Sequence, residues 1–106
     1  MKDLGALMKQ AQAMQAKLQD AQAKLAETEV DGASGGGMVR VTLKGTGELV
    51  RVGIEDSLLA AGEGELIGDL LIAAHADAKR KLDARQAEIM RDVAGPLAGL
   101  PGMPGF

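Results

Sequence analysis

The 106-residue chain carries 12 Lys and Arg against 15 Asp and Glu, a formal net charge of -3, with no Cys, Trp or Tyr and a single Phe. That length makes one domain, and the absence of Cys excludes disulfides and thiolate metal sites and makes a reducing cytoplasm the default. So few large side chains leave Leu, Val, Ile, Met and Ala to fill a marginal core, which points to a second subunit completing it.

The chain opens as an amphipathic repeat. It has no apolar h-region and no 18-residue apolar run, which argues against export and membrane spanning. From Leu4 the apolar positions step by three and four: Leu4, Leu7, Ala11, Met14, Leu18, Ala21 and Leu25. This a/d seam predicts a helix from about Asp3 to Ala26 and calls for a partner helix. Gln10, Lys17 and Lys24 at g and Gln15 and Gln22 at e give the seam a polar, weakly basic border.

Val30 to Gly37 cannot continue a helix. Two alternating runs follow, Val39, Val41 and Leu43, then Val50, Val52 and Ile54, with Lys44-Gly45-Thr46-Gly47 as the hairpin turn between them. An even loop that pairs Val41 with Val50 and Val39 with Val52 keeps the apolar faces together. A shorter strand around Thr28–Asp31 completes a sheet of three, since two strands alone are marginal. After a short turn at Ser57-Leu58-Leu59, a second long helix is predicted from about Glu63 to Ala94. Its first half, Leu66 to Ala78, is apolar around much of its girth and suits a sheet. Beyond Lys79 a narrow stripe (Leu82, Ile89, Met90, Val93) predicts a projecting half paired with the first helix. Residues 1–94 form the domain, and 95–106, rich in Gly and Pro and lacking periodicity, read as a flexible tail.

Charge is segregated along the chain. Residues 1–26 hold four Lys against Asp3 and Asp20, residues 27–66 hold three bases against eight acids, and all five later bases lie between Lys79 and Arg91. A phosphate backbone would be repelled by the middle, so nucleic-acid contact falls to the helices. Lys2, Lys9 and Lys17 on the first helix and Arg80, Lys81, Arg85 and Arg91 on the second are the candidate contacts. For the second set the competing reading is a solvated face of internal ion pairs with Asp77, Asp83, Glu88 and Asp92. Without aromatics on the arms, base stacking is nearly excluded, and binding should be led by phosphates of a duplex. Met14, Leu18 and Leu25 on the seam, with Val39, Val41, Val50 and Val52 on the strands, are the candidate dimer interface.

Chemistry finds little support. Gly32-Ala33-Ser34-Gly35-Gly36-Gly37 lacks the Lys-Ser/Thr and following helix of a phosphate loop and reads as a wide turn. His75 is the only histidine; it has no second His or Cys to share a metal, and Ser34 and Ser57 lack a nucleophile-elbow context. Asp69 and Asp77 show no sign of sharing a proton or a metal. The chain reads as a non-enzyme without cofactor or metal.

Several blocks in order resemble the YbaB/EbfC family of bacterial nucleoid-associated proteins: Leu7-Met8-Lys9-Gln10-Ala11-Gln12, Met14-Gln15, Val30-x-Gly32-x-Ser34-Gly35-x-Gly37-x-Val39-x-Val41-Thr42, Val52-x-Ile54, Ser57-Leu58-Leu59 and Leu70-x-x-Ala73-Ala74-x-x-Asp77-Ala78. Asp56 departs from the Pro often found before Ser-Leu-Leu. The resemblance implies an α+β protomer of long helix, three-stranded antiparallel sheet and long helix, dimerised with projecting tweezer-like arms. It implies a cytoplasmic, nucleoid-associated binder of double-stranded DNA, acting in nucleoid organisation, gene regulation or recombination and repair, with repair proteins as further partners. The alternative is a coiled-coil interaction or holdase-type chaperone module.

Overall fold

In the computed structural model, which describes residues 3–94, helix α1 (Asp3–Glu27) leads into strand β1 (Glu29–Ser34), a single 3-10 turn (Gly35–Gly37), β2 (Val39–Lys44), β3 (Leu49–Ile54), a short helix α2 (Asp56–Ala60) and the long helix α3 (Gly64–Ala94). Ala, Gln, Lys, Leu and Met, all good helix formers, sustain α1. Its last turn is closed by Thr28, whose backbone N–H and hydroxyl both donate to the Lys24 carbonyl. The tail reading and Lys2 fall outside the described residues.

The sheet is antiparallel in the order β1-β2-β3. β1 is longer than expected: it runs through Gly32 and Ala33 to pair Ser34 with Val39, so only Gly35, Gly36, Gly37 and Met38 remain to turn the chain. The predicted hairpin register is corrected by two residues. Val41 pairs with Val52 and Val39 with Ile54, which still keeps apolar residues on one face. A bulge then intervenes, since Thr42 opposes Arg51 but Leu43 opposes Leu49, leaving Val50 as the extra residue. Leu49 is an odd number of residues from Val52, and the bulge restores it to the apolar face.

α3 lies across β1 and β2 rather than across the whole sheet. Val39, Val41 and Leu43 pack with Ala74, Ala78 and Leu82 at 0–1% exposure, and Leu58 of α2 closes one end. The approach is closest at Gly32, where a Cβ would overlap the Ala74 carbonyl and the Ala78 backbone nitrogen. Small residues on both elements let α3 settle onto β1. Leu82 is core, and Gln86 Nε2 donates to the Gly45 carbonyl at 3.3 Å, so α3 leaves the sheet near Gln86 and not at Lys79 as predicted. Gly45, in the β2–β3 turn, also meets the backbone of Leu25. Both long helices therefore depart from this one end of the sheet and form an arm, giving a molecule of 73 × 23 × 16 Å.

Candidate nucleic-acid interface

Along α1 the described lysines are Lys9, Lys17 and Lys24. At about 1.5 Å and 100° per residue they stand roughly 12 and 10 Å apart along the axis and within an arc of about 80°, on the side away from the Leu seam. All three are exposed or at the exposed face, and none makes an ion pair among the described residues. Asp20 and Asp92 lie beside Lys17 and Lys24, and Glu27 lies beside Lys24. The result is a cationic stripe whose ammonium groups remain in water.

The bases of α3 are placed differently. Lys79 pairs with Asp83 at 2.7 Å, Arg80 and Lys81 both pair with Asp77, and Arg85 reaches Glu88 at 3.7 Å. Arg91 makes no ion pair among the described residues. Lys81 also donates to the Asp31 carbonyl at 3.0 Å, and Asp77 Oδ2 accepts the Ala33 N–H at 3.0 Å. The Ala33 hydrogen bond, reinforced by Lys81 and Arg80, holds the Asp77 carboxyl below its usual range against the opposing effect of desolvation. Arg80 and Lys81 thus sit over the edge of β1 and help to fasten α3 to the sheet. Their guanidinium and ammonium groups stay more than half exposed, and exposed pairs of this kind are worth little, so a phosphate can still draw them away.

Where the arm joins the sheet, an open cleft brings Lys24, Arg85 and Arg91 together with Glu27, Glu29, Glu88 and Asp92. Three cations against four carboxylates leave nothing there to concentrate an anion. Lys24, absent from the candidate contacts read from sequence, belongs to the α1 stripe through its seven-residue spacing from Lys17.

The proposed interface residues divide in the same way. Val39 and Val41 are wholly buried in the protomer's own core beneath α3, which removes them from any surface. Leu18 and Val52 are exposed, and Met14, Leu25 and Val50 are half-buried. The seam meets its own α3: Ala21 is buried, beside Ile89 and Val93. β1 is closed along its outer edge by Asp77, Lys81 and Ser34, whose hydroxyl donates to the Leu70 carbonyl. β3 is the other edge, with Leu49 and Val52 at 44% and 45% exposure. His75 lies exposed on α3. Among the described residues no group of three metal-binding side chains converges, and no helix is long and apolar enough to cross a membrane.

A family model described as the YbaB/EbfC DNA-binding family matches residues 1–97. The chain belongs to this family. It is 73% identical over 107 residues to a nucleoid-associated protein of Caulobacter vibrioides, covering 100% of this chain and 98% of that protein. It is 69% identical over 104 residues to one of Phenylobacterium zucineum, covering 98% and 97%. An uncharacterized protein from Helicobacter pylori, solved by crystallography, superimposes with a TM-score of 0.70 at 30% identity over 88% of this chain and 98% of its own. The family to which this YbaB/EbfC member belongs is described as DNA-binding.

Proposed function

We propose that the protein is a nucleoid-associated DNA-binding protein that grips duplex DNA as a homodimer, chiefly through phosphates. The observation that carries this reading is the α1 stripe, where Lys9, Lys17 and Lys24 face water without competing carboxylate pairs while most of the α3 bases are already paired. Lys2, outside the described residues, stands seven positions before Lys9 in the sequence, and Arg91 adds a cation near the base of the arm. Arg80, Lys81 and Arg85 serve as secondary contacts that must first give up their carboxylates. No set of base-reading side chains accompanies the stripe, so sequence preference is slight.

The dimer forms across β3. An exposed apolar edge strand is a template for another copy, and the opposite edge is already closed by α3 side chains. Two such protomers hold their lysine stripes on separate arms, and the family's nucleoid association fits a role in organising the chromosome, in gene regulation or in recombination and repair.

The test is a gel shift with random-sequence duplex. Lys9→Glu with Lys17→Glu should abolish binding while sedimentation still reports a dimer; unchanged binding by this variant rejects the reading. The exposed Leu4, Leu7 and Met8 would instead serve a holdase module, which predicts that the protein suppresses aggregation of an unfolded client and that duplex DNA leaves the arm unprotected from protease.

A further inference from the structure

Gly45 is the one buried residue of the β2–β3 turn, and each of its two backbone polar groups is taken by a different end of the arm. Its N–H donates at 2.9 Å to the carbonyl of Thr28, the residue that closes α1, and its carbonyl accepts Gln86 Nε2 of α3 at 3.3 Å. A Cβ at Gly45 would run into the Leu25 carbonyl and Cα. The turn beneath is stiff: the Lys44 N–H donates to the Glu48 carbonyl and the Gly47 N–H to the Lys44 carbonyl, both at 2.8 Å. It also continues β2, the central strand, whose Val41 and Leu43 are locked in the core.

On α3 the same point is a boundary. Leu82, one turn before Gln86, is its last residue in the sheet core, and one turn beyond Gln86 the helix meets α1 through Ile89 and Val93. The direction of the helix pair is therefore set where it leaves the sheet, and small changes there grow along its length. From Leu25 back to Gln12, α1 covers about 20 Å, so a tilt of about 15° at the root displaces Gln12 by about 5 Å.

We propose that Gly45 and Gln86 are the joint of the arm. Bonded to each other and seated against the end of α1, they fix the angle at which the two long helices leave the sheet, and with it the placement of the lysine stripe against duplex DNA. Gln86 is thus a positioning residue that acts through the arm and itself touches no DNA. Its effect on DNA rests on the DNA-binding reading above; its effect on the angle does not. Freeing the joint leaves every cation in place, so the same phosphates are contacted. Only the fraction of molecules with the arm at the right angle is competent to bind, and apparent affinity falls by that fraction.

The chain has no native cysteine, so Gln12→Cys on the arm and Ala33→Cys on the exposed face of β1 can be spin-labelled alone. The full-length labelled chain is refolded with excess unlabelled chain, and double electron–electron resonance reads the distance within one chain. Gln86→Met keeps the side chain's length and removes its donor; it should widen the distance distribution by about 5 Å. Gly45→Ala, which forces the end of α1 outward, should shift the mean by a similar amount, and Gln86→Met carries the test alone where Gly45→Ala fails to fold. A merely structural contact would lower the melting temperature and leave the distance as it was; unchanged distributions in the folded variants overturn the joint. In a gel shift with random duplex, Gln86→Met should bind at least about threefold more weakly with the parent's salt slope, whereas loss of one contacting lysine changes that slope by about 0.9. Equal affinity of parent and Gln86→Met, where the parent binds, overturns the positioning role; a parent that binds no duplex overturns the DNA-binding reading instead and leaves the distance measurement to decide the joint.

Discussion

Gly32 and Asp77 show how single residues fasten α3 to the sheet. At Gly32 no space exists for a Cβ between β1 and the backbone of Ala74 and Ala78. Gly32→Ala must push the helix away from the strand, and overpacking of this kind costs about 1–3 kcal/mol. The expected outcome is a lower urea midpoint with an unchanged m value. Asp77 acts from the side of the helix, accepting the Ala33 N–H and pairing with Arg80 and Lys81. Its carboxyl titrates below the ordinary 3.8 in the folded protein, so the folded state favours the charged form. The stability it supplies is complete above that value and is lost as the pH falls below it through the lower folded value. Asp77→Asn should therefore be less stable than the parent at neutral pH, and the gap should narrow below about pH 3.8 in urea titrations across pH. A constant gap at every pH would show that the carboxylate's charge plays no part.

Within the elements, the seven-residue repeat of α1 does two things at once, because one stripe is apolar and another is lysine. The α1 helix, its seam and the cationic stripe were legible in the sequence, since helical periodicity alone places residues around the axis. The pairing of the α3 bases was legible as the competing reading of internal ion pairs, because Asp77, Asp83 and Glu88 stand three or four residues from their partners on one helix. The fold adds that Asp77 and Lys81 also bond to β1, at the Ala33 N–H and the Asp31 carbonyl. Salt dependence can separate the two sets. The log–log slope of DNA affinity against salt should become shallower by about 0.9 with each replacement of Lys9, Lys17 or Lys24 by Gln. Replacing Arg80 and Lys81 by Gln should change that slope less and lower folding stability more, read by thermal denaturation of the same variants. Strand register was legible only in parity. Alternation requires apolar faces to match but not which pair meets, and the bulge at Val50 depends on how β3 turns away from the helix.

For the whole molecule, the uneven cover of the sheet is decisive. α3 occupies β1 and β2 and leaves the apolar side of β3 open, while both helices leave from the Gly45 end to make an arm. Dimerisation across β3 predicts that Val52→Asp, at a position already 45% exposed in the protomer, yields a folded monomer. Sedimentation velocity should show the shift with the circular dichroism spectrum preserved. A Val52→Asp variant that remains dimeric would move the interface to another surface. Such a monomer should also bind duplex DNA more weakly, because one arm presents half the cations.

The sequence by itself determined the element order, the two helical periods, the segregation of charge and the family, because each is written in local spacing and residue type. Tertiary structure alone decided which valines are core and which are surface, where α3 leaves the sheet, and that Asp77 and Lys81 tie α3 to β1. Those outcomes depend on contacts between residues tens of positions apart, such as Ala33 with Asp77 and Gly45 with Gln86, and no local pattern records which of several compatible partners a side chain will meet.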